Sequence, residues 1–164
     1  VEGDFLPDTD ALVTDKKHLP LAVFTADCLS IFLYAPEAGV VGLIHAGWRS
    51  TKENIAGKTI NFMCDNFSLE PASLYVTFGP AIRSCCYQVS RDFGDSFGNS
   101  LIARDGRYFL DLAGVNKKRI LESGVREQNI LDSSICTFCS NEDFFSFRRE
   151  KGECGRMLSV IMLK

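Results

Sequence analysis

A chain of 164 residues, 46% hydrophobic and 24% charged, is long enough to bury the core of one domain and is ordinary in composition for a globular protein. Its net charge of −3, with no long run of either sign, argues against a nucleic-acid partner, and no apolar stretch is long enough to span a bilayer, which argues against a membrane one. Seven cysteines, an odd number in a chain too large to need staples, fit a reduced, cytoplasmic protein better than a disulfide framework.

In chain order, strands are predicted over residues 21–24, 31–34 and 40–45, the last two joined by a turn through Pro36 and Gly39. A first helix is predicted over 51–66. Ser50 and Glu53 read as a capping box at its start, and Ile55, Thr59, Phe62 and Met63 trace its buried face. A strand follows over 74–78. A second helix is predicted over 91–102 from Phe93, Phe97 and Leu101 at four-residue steps. A third is predicted over 112–123, with Asp111 as N-cap and Gly124 as its stop, and a last strand over 157–163. The elements do not alternate strictly as βαβ. The fold class expected is therefore α+β, with mixed sheets packed against helices in a single domain over 1–164.

The residues with the most chemistry are Cys28, after Thr25-Ala26-Asp27, and His45, seventeen positions later at the head of His45-Ala46-Gly47-Trp48-Arg49. His45 is one of two histidines. Cysteine and histidine together can bind a transition metal or act as nucleophile and base, and either can equally be a core residue. The Gly42–Gly47 spacing is followed by Trp-Arg-Ser where a phosphate loop needs Lys and Ser or Thr, so it is not one, and there is no GxGxxG. The predicted helix start beyond Gly47, with Arg49 in the turn that feeds it, is a candidate anion site, and Trp48 could wall a pocket there. Arg148 and Arg149 follow the aromatic run Phe144–Phe147. In a strand they would point to opposite faces, so at most one faces a pocket. Cys136 and Cys139 form one CxxC with no second ligand pair in view, and the adjacent Cys85 and Cys86 are expected to be poorly placed to share an ion. His18 falls in a predicted surface loop with Lys16, Lys17 and Pro20, and no role is expected for it.

These motifs, in order, resemble the YfiH-type laccase-domain family, also called polyphenol-oxidase-like or multicopper-oxidase-like purine nucleoside phosphorylases. The blocks are Asp10–Thr14, Thr25–Cys28, His45–Arg49, Gly79–Ile82 with Cys86–Val89, Leu110–Asn116, and Cys136-Thr137 through Phe144–Arg149 to Gly155-Arg156. The resemblance implies a zinc held by two histidines and one cysteine, with Cys28 and His45 as the matching ligands. The other histidine belongs to a family block upstream of Val1, so the domain is expected without its N-terminal segment. Ser50, Arg83-Ser84 and Phe147 depart from residues common in the family.

The resemblance further implies that purine nucleosides and phosphate are the partners. The reactions would be phosphorolysis of adenosine, inosine or methylthioadenosine and deamination of adenosine. Cys28, His45 and Arg49 are the catalytic candidates, and Arg49, Trp48 and Arg148 would bind substrate or phosphate. Three rival readings remain: a copper-dependent polyphenol oxidase, for which two histidines are too few to build several copper centres; a metal-free hydrolase or deamidase with Cys28 as nucleophile and His45 as base; and a binding module without activity.

Overall fold

Two apolar runs with little polar interruption make the centre of the molecule. In the computed structural model, which describes residues 6–164, ten strands form: β1 (Ala11–Thr14), β2 (Leu21–Thr25), β3 (Leu29–Ala35), β4 (Val40–Ala46), β5 (Tyr75–Phe78), β6 (Gln88–Val89), β7 (Leu101–Arg104), β8 (Arg107–Leu110), β9 (Ile130–Asp132) and β10 (Met157–Ile161). Four α-helices join them: α1 (Trp48–Lys52), α2 (Ile55–Phe67), α3 (Gly94–Phe97) and α4 (Leu112–Glu122). The main sheet runs β1-β4-β3-β5-β9. All its pairs are antiparallel except β5 with β9, so the sheet is mixed. Strands β2 and β10 form a second, two-stranded sheet, and β6-β8-β7 a third. The α+β expectation holds.

Strands β3 and β4 are buried on both faces, which is why they read as continuous apolar runs rather than alternating ones. On one face Leu29, Ile31, Leu33 and Ile44 pack with Ile60 and Met63 of α2 and Ile120 of α4. Burying each such side chain contributes about 1.5–3 kcal/mol. The helix lies close: a Cβ on Gly42 would sit 3.3 Å from Met63 Sδ. On the other face Val41 and Leu43 pack with Leu21, Val23 and Ile161 of the two-stranded sheet.

Helix α4 forms as expected. Asp111 Oδ1 accepts from Gly114 N at 3.0 Å, and Gly124, at φ +94°, turns the chain away. Two helix expectations need correction. The helix predicted over 51–66 is two helices, α1 and α2, parted by Asn54 in the left-handed region, whose side chain accepts from Gly57 N and caps α2. The Ser50–Glu53 capping box does not form, because Ser50 lies inside α1 and its hydroxyl donates to the carbonyls of His45 and Gly47. The helix predicted over 91–102 breaks into short turns around the single turn of α3. Gly98, at φ +48°, ends it, and Leu101 begins β7.

The segment after β9 is tied back to the centre through one side chain. Asp27 is buried in the turn between β2 and β3, at φ +82°. Its carboxylate accepts from Thr137 Oγ1 at 2.6 Å, Ser146 Oγ at 3.0 Å and the backbone N–H of Arg148 at 2.7 Å. Asp27→Ala leaves two buried hydroxyls and the part-buried Arg148 N–H unmatched and is expected to destabilise the fold by about 3 kcal/mol, read as a lower urea midpoint at unchanged slope. A loss below about 1 kcal/mol would contradict this role.

Candidate functional site

The ends of β2 and β4, the turn between β2 and β3, and the first residues of α1 surround an open cleft of about 610 Å³. Cys28, His45, Trp48, Arg49 and Arg148, the five residues singled out from the sequence, all line it. His18 does not; it lies in an exposed turn, its N–H donating to Leu163 O.

His45 is the last but one residue of β4 and is gripped by Asp10. The His45 N–H donates to Asp10 O at 2.8 Å, and Nδ1 lies 2.7 Å from Asp10 Oδ1. A proton on Nδ1 is thereby held toward the carboxylate, and Nε2 is left for the cleft. Asp10 is not among the site residues predicted from the sequence. The strand register carries the signal, because Ala11 pairs with Ile44 and the next step places Asp10 beside His45.

Cys28 and His45 converge over Gly47. A Cβ built on Gly47 would sit 3.3 Å from Cys28 Sγ and 3.8 Å from His45 Nε2, so the bare Cα keeps the space where the two side chains meet. The hydrogen bond with Cys28 raises the His45 pKa most. Burial opposes it, the Asp10 bond adds to it, and the result is about 9. A thiol sulfur and an imidazole nitrogen, with the far ring nitrogen fixed by a carboxylate, are the donor set and outer support that suit a zinc- or copper-type ion. The pair offers two donor atoms of the kind such a site uses.

The rest of the cleft is cationic and aromatic. Trp48 packs against Phe93, with ring centroids 5.1 Å apart, and the exposed Arg49 guanidinium lies 4.6 Å from the Trp48 centroid. The helix that Arg49 belongs to has only five residues, shorter than the sequence reading supposed, and Gly47 provides it no side-chain cap. Residues 148 and 149 lie in a turn, not a strand, yet they do part company. Arg148 faces the cleft, 5.3 Å from the Tyr87 ring, and donates to Gln88 O, while Arg149 points inward to the carbonyls of Thr137, Phe138 and Phe144. Tyr87, Phe147 and Arg156 complete the walls. Burial holds the Tyr87 hydroxyl protonated, with its pKa raised to about 12.

A second group of side chains corrects the sequence reading. The Cys136–Cys139 motif was expected to lack a second ligand pair and Cys85 and Cys86 to be poorly placed to share an ion, yet the four bring their sulfurs within 4.8 Å of one another and form a set that could hold a metal ion. Burial opposes ionisation of Cys136, but the N–H groups of Arg83, Cys139 and Phe138, with the Cys85 thiol, outweigh it and bring its pKa down to about 7.

The His45 shift has a consequence for stability. Because its pKa in the fold lies above the ordinary 6.5, the charged ring stabilises the metal-free protein fully below about 6.5, and that contribution disappears as pH rises through about 9. Chelator-treated protein is expected to show a falling Tm over this interval, and Asp10→Asn a shallower fall. A Tm that is flat across the interval would contradict the pairing.

The whole chain, residues 1–164, matches the sequence profile described as multi-copper polyphenol oxidoreductase laccase. It is 40% identical over 165 residues to a purine nucleoside phosphorylase, YlmD, of Geobacillus stearothermophilus, a match covering 95% of this chain and 60% of that protein. It is 32% identical over 168 residues to an adenosine deaminase from an unknown prokaryotic organism, covering 97% and 64%. The crystal structure of a Bacillus licheniformis hypothetical protein, YfiH, superposes with a TM-score of 0.91 at 37% identity, covering 95% of this chain and 62% of that one. The chain thus spans about 60% of the length of the first of these relatives. With the match running over all 164 residues, the chain belongs to the multi-copper polyphenol oxidoreductase laccase family.

Proposed function

We propose that the cleft is the greater part of a metal-dependent purine nucleoside site, acting in phosphorolysis and in adenosine deamination. The observation that carries this reading is the convergence of Cys28 Sγ and His45 Nε2 over Gly47, with Asp10 fixing the ring. Relatives named purine nucleoside phosphorylase and adenosine deaminase support it. Cys28 and His45 would hold a zinc ion together with a further ligand. When bound, such an ion supplies Lewis-acid chemistry and makes water nucleophilic near neutral pH.

The remaining residues divide the substrate between them. Trp48 and Tyr87 offer flat apolar walls suited to a purine base, and Arg49 and Arg148 bring positive charge to an anionic co-substrate. In phosphorolysis a phosphate oxygen bonds to the ribose C1′ and the bond from C1′ to the purine nitrogen breaks. The electron pair leaves with the base, which takes up a proton. In deamination water adds at C6 of adenine and ammonia departs. The arginines serve the first reaction more than the second, because only the first brings in phosphate.

Arg49→Ala in the full-length protein is expected to raise the phosphate KM tenfold or more, the loss of a charge-assisted hydrogen bond of about 1.5–3 kcal/mol, while leaving adenosine deamination nearly unchanged. An unchanged phosphate KM refutes the anion role. Gly47→Ala places a methyl group 3.3 Å from Cys28 Sγ at a backbone geometry alanine accepts. It is expected to lower zinc occupancy with little change in Tm, measured by metal analysis beside a thermal melt.

A second reading has its own observation. Cys28, His45 and Asp10 also form a nucleophile, base and orienting carboxylate in the order that a metal-free cysteine hydrolase uses. Iodoacetamide separates the two. If zinc is the cofactor, zinc protects Cys28 from alkylation and chelation abolishes turnover. If Cys28 is a nucleophile, chelated protein keeps its activity and loses it on alkylation.

A further inference from the structure

The four cysteines outside the cleft have a geometry that the proposed function does not use. Cys85 and Cys86 lie in a tight turn, where the Cys86 and Tyr87 N–H groups both donate to Arg83 O. Cys136 and Cys139 lie in another, where the Ser140 N–H donates to Cys136 O. The two turns are fastened side by side by a parallel bridge between Ala81 and Cys136, with Ala81 N donating to Ile135 O and Thr137 N donating to Ala81 O. This is what gives neighbouring cysteines a common target: the turn at 84–86 lets both Cys85 and Cys86 face Cys139.

The sulfur separations suit one ion. Cys86 Sγ lies 3.4 Å and Cys85 Sγ 3.9 Å from Cys139 Sγ, and all four atoms lie within 4.8 Å of one another. Four thiolates around a zinc at about 2.3 Å stand roughly 3.8 Å apart. The set is too tight to enclose a core of several irons. A disulfide would use two of the four sulfurs and leave the approach of the others without a reason.

Several carbonyls of the two turns and their flanks accept from guanidinium groups. Arg104 takes Ser84 O at 2.6 Å and Cys85 O at 3.3 Å; Arg149 takes Thr137 O and Phe138 O; Arg83 takes Ile135 O. Arg104 forms no ion pair among the described residues, so its charge is free to offset the net negative charge of four thiolates around a divalent ion.

We propose that Cys85, Cys86, Cys136 and Cys139 bind one thiophilic divalent metal ion, zinc in type, at a closed four-thiolate site separate from the cleft. Four protein ligands leave no open position, so the ion is structural. It joins the turn that leads into Tyr87 to the segment that leads into Phe147 and Arg148, and so holds two walls of the cleft at a fixed spacing. The inference is independent of what the cleft catalyses.

The test is metal analysis of the full-length protein carrying Cys28→Ala and His45→Ala, purified under reducing conditions. The expected result is about one equivalent of zinc per chain, with cobalt substitution giving the intense thiolate-to-cobalt absorption of a tetrahedral thiolate site. Adding Cys85→Ser and Cys139→Ser to the same background should take that equivalent to zero. Should that variant not fold, the two-substitution protein still decides by itself. No bound zinc in it, a disulfide between Cys86 and Cys139 found by thiol counting, or an iron–sulfur chromophore would each overturn the proposal.

Discussion

The Asp27 carboxylate is the interaction on which the cleft depends. It sits one residue before Cys28, and its donors come from Thr137, Ser146 and Arg148. Among the described residues no other hydrogen bond fastens the turn bearing Cys28 to the segment bearing Phe147 and Arg148. The Ile82 N–H adds a fourth tie by donating to the Asp27 carbonyl at 2.9 Å. One residue in an unusual backbone conformation thus gathers the stretches at Ile82, Thr137 and Ser146–Arg148, and the first and last of them reach the wall of the same opening. A buried carboxylate is costly unless every oxygen is matched, and here both oxygens are.

The two halves of the site follow from where rigid elements end. The thiol and imidazole stand one residue before β3 and near the end of β4, the most deeply buried strands of the sheet, where small rotations are resisted by packing on both faces. Arginines and aromatic rings stand on the shorter elements around them, where side chains have more freedom.

Much of the framework was legible in the sequence because it depends on local signals. Strands β2 to β5 and β10 carry β-rich apolar runs, and α4 has both its cap and its stop written in Asp111 and Gly124. The helix expected over 91–102 was not, because Phe93 and Phe97 face the core from short turns at the same spacing that a helix would give, and Gly98 breaks the run. The capping box at Ser50 failed because α1 begins earlier and uses that hydroxyl on its own turn. Cys28 and His45 stood out through ordered family motifs rather than spacing. Asp10 needed the strand register. The four-cysteine group was invisible, since Cys86 and Cys139 are 53 positions apart and meet only through the bridge at Ala81.

The sequence distance between Asp27 and its partners sets the order in which this chain can assemble. Thr137, Ser146 and Arg148 follow it by 110, 119 and 121 positions. The hairpin of β3 and β4 can pair as soon as both strands have left the ribosome, but the turn carrying Cys28 must wait for most of the chain to be synthesised. During that interval the thiol is open to oxidants and stray metals. The turn that carries Cys28 is therefore made before the segment that closes it, and the cleft takes shape only when residues 137–148 fold back onto Asp27.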